Sequence, residues 1–337
     1  MPNAENPAPG LTRLPDDAKR VIISVNPKAG RRSARPAAEE LARFLAQRNL
    51  RADVLTDLAE VAAVAAEAQA QGDLRAVVAA GGDGTVTEMV NRLPVGAPLT
   101  VLPLGTENLL AKYLGIRREV ESVGETIVRG AVARMDAGRA VSPRCVAGQE
   151  EGRLFLLMAT CGLDADVIYR VEQARRGHIS HLSYAKPIIA AFRNYKYPPL
   201  RIEPRYAQVT SPMACAGPVV ARWMFLFNLP CYARGLPFTP RASGHDGLFD
   251  LCAFERGSFW SGMRYLVAVL RGRHERLADC TLRQVTGLRV ETAAPDEDVP
   301  FQLDGDFGGY LPLEIDLLPT RVTLVVPEAW LVARRAP

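Results

Sequence analysis

A glycine-rich segment, Gly81-Gly82-Asp83-Gly84-Thr85, is the part of the sequence best suited to bind phosphate. Glycine lets the backbone approach a ligand closely and adopt positive φ, so successive N–H groups can surround an anion at a helix start. Asp83 would repel a bare phosphate, so we expect a cation, bound directly or through water, between this carboxylate and the phosphates. The simpler alternative is that the segment is only a tight turn between a strand and a helix.

The residues on either side of this segment predict such a strand and helix. The apolar run AVVAA (76–80) precedes it, and apolar residues recur at helical spacing over residues 86–93. Thr85 and Glu88 stand three residues apart, a spacing that predicts a capping box in which each side chain accepts from a free amide at the helix start.

Two further loops occupy equivalent places in the pattern. Pro103–Asn108 follows an apolar run at Leu99–Leu102 and leads into a helical segment that Gly115 is placed to end. Asn26–Gly30 follows VIISV (21–25), and Lys28 in it could reach a phosphate, unless the segment is a solvated turn. The chain contains neither the G-x-x-x-x-G-K-[ST] loop nor the G-x-G-x-x-G fingerprint, which disfavours both of those nucleotide-binding folds.

The first part of the chain alternates short apolar runs with alanine-rich helical stretches, an order that predicts a mainly parallel sheet flanked by helices. Ligands of such sheets bind in the loops at the carboxyl ends of the strands. From about residue 141 the texture changes to short β-like runs separated by turns, including RLFLLMAT (153–160), with helices near Ser183–Tyr195 and Phe259–Arg271. We predict a β-rich second domain, after which Arg321–Val326 returns to the first as an added strand.

Composition excludes several other classes. The 337 residues are 48% hydrophobic and 23% charged, which is typical of a folded protein with room for two cores, and the net charge of +4 gives no reason to expect nucleic acid binding. The six cysteines form no C-x-x-C pair, which disfavours a zinc site. No signal peptide or membrane span is visible, so we expect a cytoplasmic protein. We also expect residues 1–17 to be flexible, because MPNAENPAPG is rich in proline and polar residues.

Together these loops resemble those of the diacylglycerol kinase catalytic-domain family, which includes sphingosine and ceramide kinases and soluble bacterial lipid kinases. The resemblance covers nearly the whole chain. It rests on NPKAG (26–30), GGDGTVTEMVNRL (81–93), PLGTENLLAKYLG (103–115), DGLFDL (246–251), LRGRH (270–274) and QLDGD (302–306).

The resemblance implies an α/β nucleotide-binding domain at residues 18–140, completed by 318–334, and a β-sandwich-like lipid domain at 141–317, with an active-site cleft between them. It implies a kinase of phospholipid metabolism that transfers phosphate from ATP with Mg²⁺. The residues implied to contact ATP are Asn26, Pro27, Lys28, Ala29, Gly30, Thr56, Gly81, Gly82, Asp83, Gly84, Thr85, Val86, Thr87 and Thr106.

In the second domain the resemblance assigns the catalytic base to Asp306, where the family usually has glutamate. It also implies a divalent cation, here Mg²⁺, held by the Asp246 carboxylate and the main-chain carbonyls of Ser243 and Leu248, although a plain Asp-Gly turn would have the same spacing. Two further departures are Glu107 in place of a glycine and Leu109 in place of an acid.

Two alternatives to a lipid kinase remain open. A nicotinamide-nucleotide kinase shares the GGDGT turn but phosphorylates a soluble acceptor, and the early NPKAG and late DGD favour the lipid enzyme over it. A nucleotide-binding regulator without turnover would be consistent with the altered GTEN and DGD segments.

The expected partner is a lipid substrate that the protein meets transiently at the inner face of a membrane. The sequence does not distinguish among lipid hydroxyl acceptors. It also leaves the oligomeric state open, and a homodimer is one of the possibilities.

One apolar set could line an acyl pocket or simply belong to a core: Tyr184, Ile188, Ile189 and Phe192. One basic set could dock anionic headgroups or simply coat a solvated face: Arg170, Arg175, Arg176, Lys186, Arg193 and Lys196.

Overall fold

The fold is taken from a computed structural model, which describes residues 12–25, 34–146, 148–173, 194–206, 217–232, 235–294 and 296–334. The chain forms two compact units. The first comprises residues up to Met135 together with those from Thr320 onward, and the second comprises Asp136–Pro319. The second unit is therefore inserted into the sequence of the first.

The first unit is an α/β structure. Its strands are β1 (Thr12–Arg13), β2 (Arg20–Val25), β3 (Arg51–Leu55), β4 (Leu74–Gly81) and β5 (Pro98–Pro103), and β6 (Ala131–Val141) leads into the second unit. Its helices are α1 (Ala34–Ala46), α2 (Leu58–Ala70), α3 (Asp83–Arg92), α4 (Leu109–Leu114) and α5 (Val120–Arg129).

The central sheet of this unit is parallel, in the order β3-β2-β4-β5. All residues of β4 and β5 are buried, as expected for parallel strands covered by helices on both faces. Helix α1 buries Ala34, Ala38, Leu41 and Leu45, one stripe of an amphipathic helix. A strand from the end of the chain, β17 (Leu313–Val325), pairs in parallel with β5 through Thr323 and Pro98.

The second unit is built from antiparallel strands. They are β7 (Arg153–Phe155), β8 (Met158–Gly162), β9 (Leu200–Arg205), β10 (Val219–Ala221), β11 (Trp223–Phe227), β12 (Phe249–Phe254), β13 (Cys280–Val285), β14 (Gly287–Thr292), β15 (Pro300–Leu303) and β16 (Asp306–Tyr310). Described helices are α6 (Leu163–Gln173) and α7 (Phe259–Leu270), and a final helix, α8 (Glu328–Ala333), belongs to the first unit.

Two layers of these strands enclose one apolar core. One sheet has the order β13-β12-β11-β8-β15-β16, and the other contains β10-β9-β14 and the first part of β17. Buried side chains from both layers, such as Phe249, Phe301, Leu288 and Ile315, belong to one hydrophobic cluster. The predicted fold class, a parallel α/β domain followed by a β-sandwich-like domain, is confirmed.

The predicted run RLFLLMAT does not form one strand. It is divided into β7 and β8 at Leu156 and Leu157, whose amides, with that of Met158, donate to the carboxylate of Asp304. Because these three amides donate to a carboxylate, they cannot pair with a neighbouring strand, and Asp304 reaches them only in the folded chain.

The predicted helix near Ser183–Tyr195 lies almost wholly outside the described residues. Within the described part of the chain, no helix is long and apolar enough to cross a bilayer.

Candidate active site

Two glycine loops lie side by side where β4 and β5 end. These strands are paired up to Gly81 and Pro103, and the Leu104 amide donates to the Gly81 carbonyl at 2.9 Å. The loops pack so closely that a Cβ on Gly105 would lie 2.5 Å from the Cα of Gly82. A side chain at Gly105 would therefore separate the two loops, and a Cβ on Gly82 would lie 3.2 Å from the Cα of Gly105, a tight contact.

Asp83 holds the second loop to the first. Leu109 and Leu110 are the first residues of α4, and their amides donate to the two carboxylate oxygens of Asp83 at 3.0 and 3.1 Å. Burial raises the pKa of this carboxyl group, whereas the two amide hydrogen bonds oppose that rise. Asp83 thus caps the neighbouring helix, a role that the sequence did not reveal because its partners lie in another loop.

The predicted capping box at Thr85 and Glu88 is wrong. Helix α3 already begins at Asp83, its N-cap is Gly82, and no side chain makes a capping hydrogen bond there. Thr85 consequently lies inside the first turn, and Glu88 pairs with Arg92 at 3.1 Å. The glycine loop is therefore shorter than predicted, and the start of α3 meets it directly, where the first amides of a helix have no partner within the helix.

The second loop is closed by its own asparagine. Asn108 adopts positive φ, accepts from the Gly105 amide at 2.9 Å and donates to the Gly105 carbonyl at 2.8 Å. Arg118 also donates to the Gly105 carbonyl, at 2.6 Å, and places an exposed guanidinium beside both loops. Sequence reasoning missed Arg118 because it lies ten residues beyond the Pro103–Asn108 loop.

The other predicted nucleotide contacts are spread along the same sheet. Gly81–Thr87 and Thr106 lie in or beside the two adjoining loops, with Thr106 exposed. Thr56 is exposed at the carboxyl end of β3, and β2 separates that strand from β4. Asn26–Gly30 lies outside the described residues. The structure thus brings the loops at Gly81–Thr85 and Pro103–Asn108 together and leaves Asn26–Gly30 as a prediction.

In the second unit, Asp304 and Gly305 form the hairpin turn between β15 and β16, and Asp306 is the first residue of β16. Asp304 has positive φ and points into the protein, where its carboxylate accepts from three consecutive amides at Leu156–Met158. Asp306 points outward, with 46% of its side chain exposed. The two aspartates of the motif therefore have different roles: one fixes the turn and the other presents a carboxylate to solvent.

Arg153 pairs with the exposed aspartate. This arginine, whose side chain is only 8% exposed, donates to one oxygen of Asp306 at 2.6 Å. A buried guanidinium is rarely found without an anionic partner, because removing its charge from water is costly. The pair therefore fixes the orientation of the Asp306 carboxylate. No local pattern predicts this pair, since the two residues are far apart in the chain.

Behind the turn lies a hydrogen-bonded network centred on Asp164, at the start of α6. Asp164 accepts from the hydroxyl groups of Thr160, at 2.6 Å, and Tyr232, and from the Gln302 amide at 3.4 Å. The Gln302 carbonyl oxygen accepts in turn from the Gly305 amide at 2.7 Å. Loss of hydration raises the pKa of Asp164, although its three hydrogen bonds oppose this. The network connects α6 to the turn that carries Asp306.

We expect Asp164→Asn to flatten the pH dependence of stability. A carboxyl group whose pKa is raised by folding stabilises the native state below its unfolded pKa of about 3.9, and that contribution is lost as pH rises through the folded pKa. The amide does not titrate, so wild type should lose stability relative to the variant as pH increases from about 4 towards neutrality. Urea unfolding across this range measures the difference, and parallel curves would contradict it.

The predicted metal-binding segment forms a tight turn in the second unit. The Gly247 amide donates to the buried Asp136 carboxylate at 2.9 Å, and the Leu248 amide donates to Asp246 at 3.1 Å. Asp250 follows, and one of its oxygens is buried without a hydrogen-bond partner among the described residues. Burial and the negative charge of Asp246 raise the pKa of Asp250 to about 6.

This turn suits a hard cation. Acidic side chains close enough to disfavour one another's ionisation, together with main-chain carbonyls, are the oxygen donors that Mg²⁺ prefers. Within the described ranges no group of three or more His, Cys, Asp or Glu side chains comes together as a metal site. The predicted set of Ser243, Asp246 and Leu248 needs only one carboxylate.

The basic and apolar sets proposed for lipid contact are only partly described. Arg170 pairs with Asp166 at 2.6 Å, and Lys196 pairs with Glu297 at 2.9 Å. The remaining basic residues of that set, and Tyr184, Ile188, Ile189 and Phe192, lie outside the described residues. The two described cations are thus already partnered.

A parallel α/β unit with adjoining glycine loops, followed by an antiparallel sandwich, is the arrangement of a two-domain kinase, and comparison with known proteins agrees. Residues 20–140 match the diacylglycerol kinase catalytic domain, and residues 158–326 match the YegS C-terminal NAD kinase beta sandwich-like domain. The chain belongs to the diacylglycerol kinase catalytic-domain family and is a kinase.

Similar proteins extend over almost the same length. The chain is 27% identical over 319 residues to a diacylglycerol kinase of Bacillus subtilis, covering 92% of this chain and 97% of that one. It is 22% identical over 317 residues to a diacylglycerol kinase of Staphylococcus carnosus, covering 92% and 96%. A crystal structure of a diacylglycerol kinase from Bacillus anthracis shares the fold, with a TM-score of 0.60, 20% identity and coverage of 93% and 98%.

Proposed function

We propose that the protein transfers the γ-phosphate of ATP, with Mg²⁺, to a hydroxyl group of diacylglycerol or a related lipid. The observation that carries this proposal is the pair of glycine loops held together by Asp83 at the ends of β4 and β5, in a member of a kinase family. Backbone amides at such loops and at the start of α3 bind phosphate oxygens without adding charge to the protein.

Phosphoryl transfer requires mainly positioning and neutralisation of charge. In the proposal, the loops at Gly81–Thr85 and Gly105–Asn108 hold the triphosphate, and Arg118 adds a positive charge beside them. Mg²⁺, when bound, would neutralise phosphate oxygens. A cation held by Asp246, with the carbonyls of Ser243 and Leu248, would keep the turn before β12 in place.

Asp306 is proposed as the general base. Arg153 occupies one of its carboxylate oxygens, and the exposed side of the carboxylate is available to the lipid alcohol. As the alcohol oxygen forms its bond to the γ-phosphorus and the bond to ADP breaks, Asp306 takes the proton of the hydroxyl group. Asp304 and Gln302 fix the turn from which this carboxylate projects.

The test is transfer of radiolabelled γ-phosphate from Mg·ATP to a panel of lipids in mixed micelles, comprising diacylglycerol, monoacylglycerol, a sphingoid base, ceramide and phosphatidylglycerol. We expect one of these lipids to become labelled by wild type. Label on a soluble nicotinamide nucleotide instead would assign the alternative kinase activity.

A regulator without turnover is the second candidate, and the ion pair between Arg153 and Asp306 favours it. Aspartate is shorter than the family's glutamate by one C–C bond, about 1.5 Å, and its tie to Arg153 restrains it further. Misplacement of a base on this scale can lower the rate about 10²-fold. ATP binding by calorimetry, without label on any acceptor, would establish this candidate.

A further inference from the structure

Helix α7, Phe259–Leu270, presents apolar side chains on both of its faces. Gly262, Tyr265 and Val269 are buried against the second unit. On the opposite side Trp260, Val267 and Leu270 are 79, 42 and 60% exposed. An ordinary surface helix turns polar residues towards water, so an outward face of this composition indicates that something other than water covers it.

The exposed residues form one stripe. Positions 260, 263, 267 and 270 follow the spacing that places side chains on the same side of a helix, and Met263 is partly buried between the exposed members. Phe259, 38% exposed, contacts Trp260 in an edge-to-face arrangement and widens the stripe at its start. We call Phe259, Trp260, Met263, Val267 and Leu270 the α7 stripe.

Positive charge lies at the C-terminal end of this stripe. Between Phe259 and Arg276 the sequence contains four arginines and one acidic residue, Glu275. Arg264 is tied to Asp279, but Arg271, Arg273 and Arg276 are exposed just after the helix. Arg271 comes eleven residues after Trp260, about three helical turns, and so lies on the side of the stripe.

We propose that the α7 stripe docks the protein on the surface of an anionic lipid bilayer. A helix lying in the interface buries its apolar stripe among acyl chains, its tryptophan sits at headgroup level, and arginines beside it meet anionic headgroups. The exposed arginines at the end of α7 favour a bilayer as the partner, because each basic residue is attracted to an anionic leaflet. The inference rests on the proposed function in that a lipid kinase must meet its substrate in a bilayer.

The experiment compares the full chain with Trp260→Gln/Val267→Gln in co-sedimentation with phosphatidylcholine vesicles, with and without about one-third phosphatidylglycerol. The control, Val95→Gln/Val332→Gln, removes two apolar residues that are 64 and 59% exposed elsewhere. We expect wild type and control to bind the anionic vesicles and the α7 variant to bind at least about tenfold more weakly. The Arg271→Gln/Arg273→Gln variant should bind the anionic vesicles more weakly than wild type and bind the neutral vesicles equally.

Tryptophan fluorescence provides a second measurement that does not depend on sedimentation. Wild-type emission should shift to the blue on adding anionic vesicles, and brominated acyl chains should quench it, while a Trp260→Gln variant shows neither effect. Unchanged thermal unfolding of the variants would show that they are folded, which is expected because the substituted side chains are exposed.

Three results would overturn the proposal. The first is equal vesicle binding by wild type and the α7 variant, and the second is equal binding of wild type to neutral and anionic vesicles. The third is self-association of wild type without lipid that the variant loses, which would assign the stripe to a second copy of the chain.

Kinase assays on a water-soluble short-chain diacylglycerol separate docking from catalysis. Vesicle binding without label on any lipid would refute the proposed function and leave docking standing, whereas label on the soluble lipid without vesicle binding would do the reverse.

Discussion

Asp306→Asn should reduce phosphate transfer by about 10²–10⁴-fold while leaving ATP affinity close to that of wild type. The amide cannot accept the proton of the lipid hydroxyl, yet it keeps the size of the side chain and can still accept from Arg153 at the position where the carboxylate does now. Radiolabel transfer measures the rate, and calorimetric titration measures nucleotide binding.

The chain offers a matched control for this variant. Asp298 pairs with Arg144 at 2.6 Å, the same distance as the pair of Asp306 with Arg153, but it is 68% exposed and outside the turn. Asp298→Asn should therefore leave transfer unchanged. Asp306→Glu restores the family's usual residue and should retain or increase activity. Equal loss of transfer and ATP binding in Asp306→Asn would show that the residue supports structure and is not the base.

Asp83→Asn should weaken ATP binding at least about tenfold and destabilise the protein by about 1–3 kcal/mol. The present carboxylate accepts from the amides of both Leu109 and Leu110, whereas an asparagine side chain has one oxygen and would turn an N–H group towards the second amide. The two glycine loops would then separate, and the phosphate-binding amides would lose their alignment. Chemical unfolding and calorimetric titration with ATP measure the two effects.

Asp57→Asn is the corresponding control. Asp57 also accepts from two backbone amides, those of Ala59 and Glu60, as the N-cap of α2, but it is exposed and follows β3, which β2 separates from β4. Asparagine is nearly as good as aspartate at an N-cap, so this change should have little effect. If Asp83→Asn altered only the Mg²⁺ concentration required for activity, with normal stability, its main role would be towards the cation rather than as a cap.

The order of elements was predictable because the parallel strands are fully buried and interrupted by helical repeats. The continuous apolar run AVVAA and the alanine-rich helices leave few other interpretations. The glycine loops were predictable for the same reason, since strand ends in a parallel sheet lie at one edge. The structure adds that Gly82 and Gly105 touch, a contact that no spacing within either motif specifies.

What the sequence did not reveal is mostly long-range polar contact. Asp83 and Leu109, Arg153 and Asp306, and Asp304 and Leu156 each meet through the fold, and none of these pairs has a local signature. The incorrect capping box at Thr85 has a local cause: Gly82 already takes the extended conformation of an N-cap, so the helix starts before the threonine. The outward apolar face of α7 was visible in the sequence only as helical periodicity, because burial decides which face meets water.

The insertion of the second unit within the first determines an order of assembly. In the first unit, β5 can pair with β17 only after the ribosome has synthesised the residues beyond Thr320. Every residue of the second unit has been synthesised before that point. During translation the second unit can therefore be complete while β5 still has an unsatisfied row of backbone donors and acceptors. Such an edge invites pairing with other chains, so synthesis that stops before Thr320 should yield an aggregating product, not a smaller folded protein.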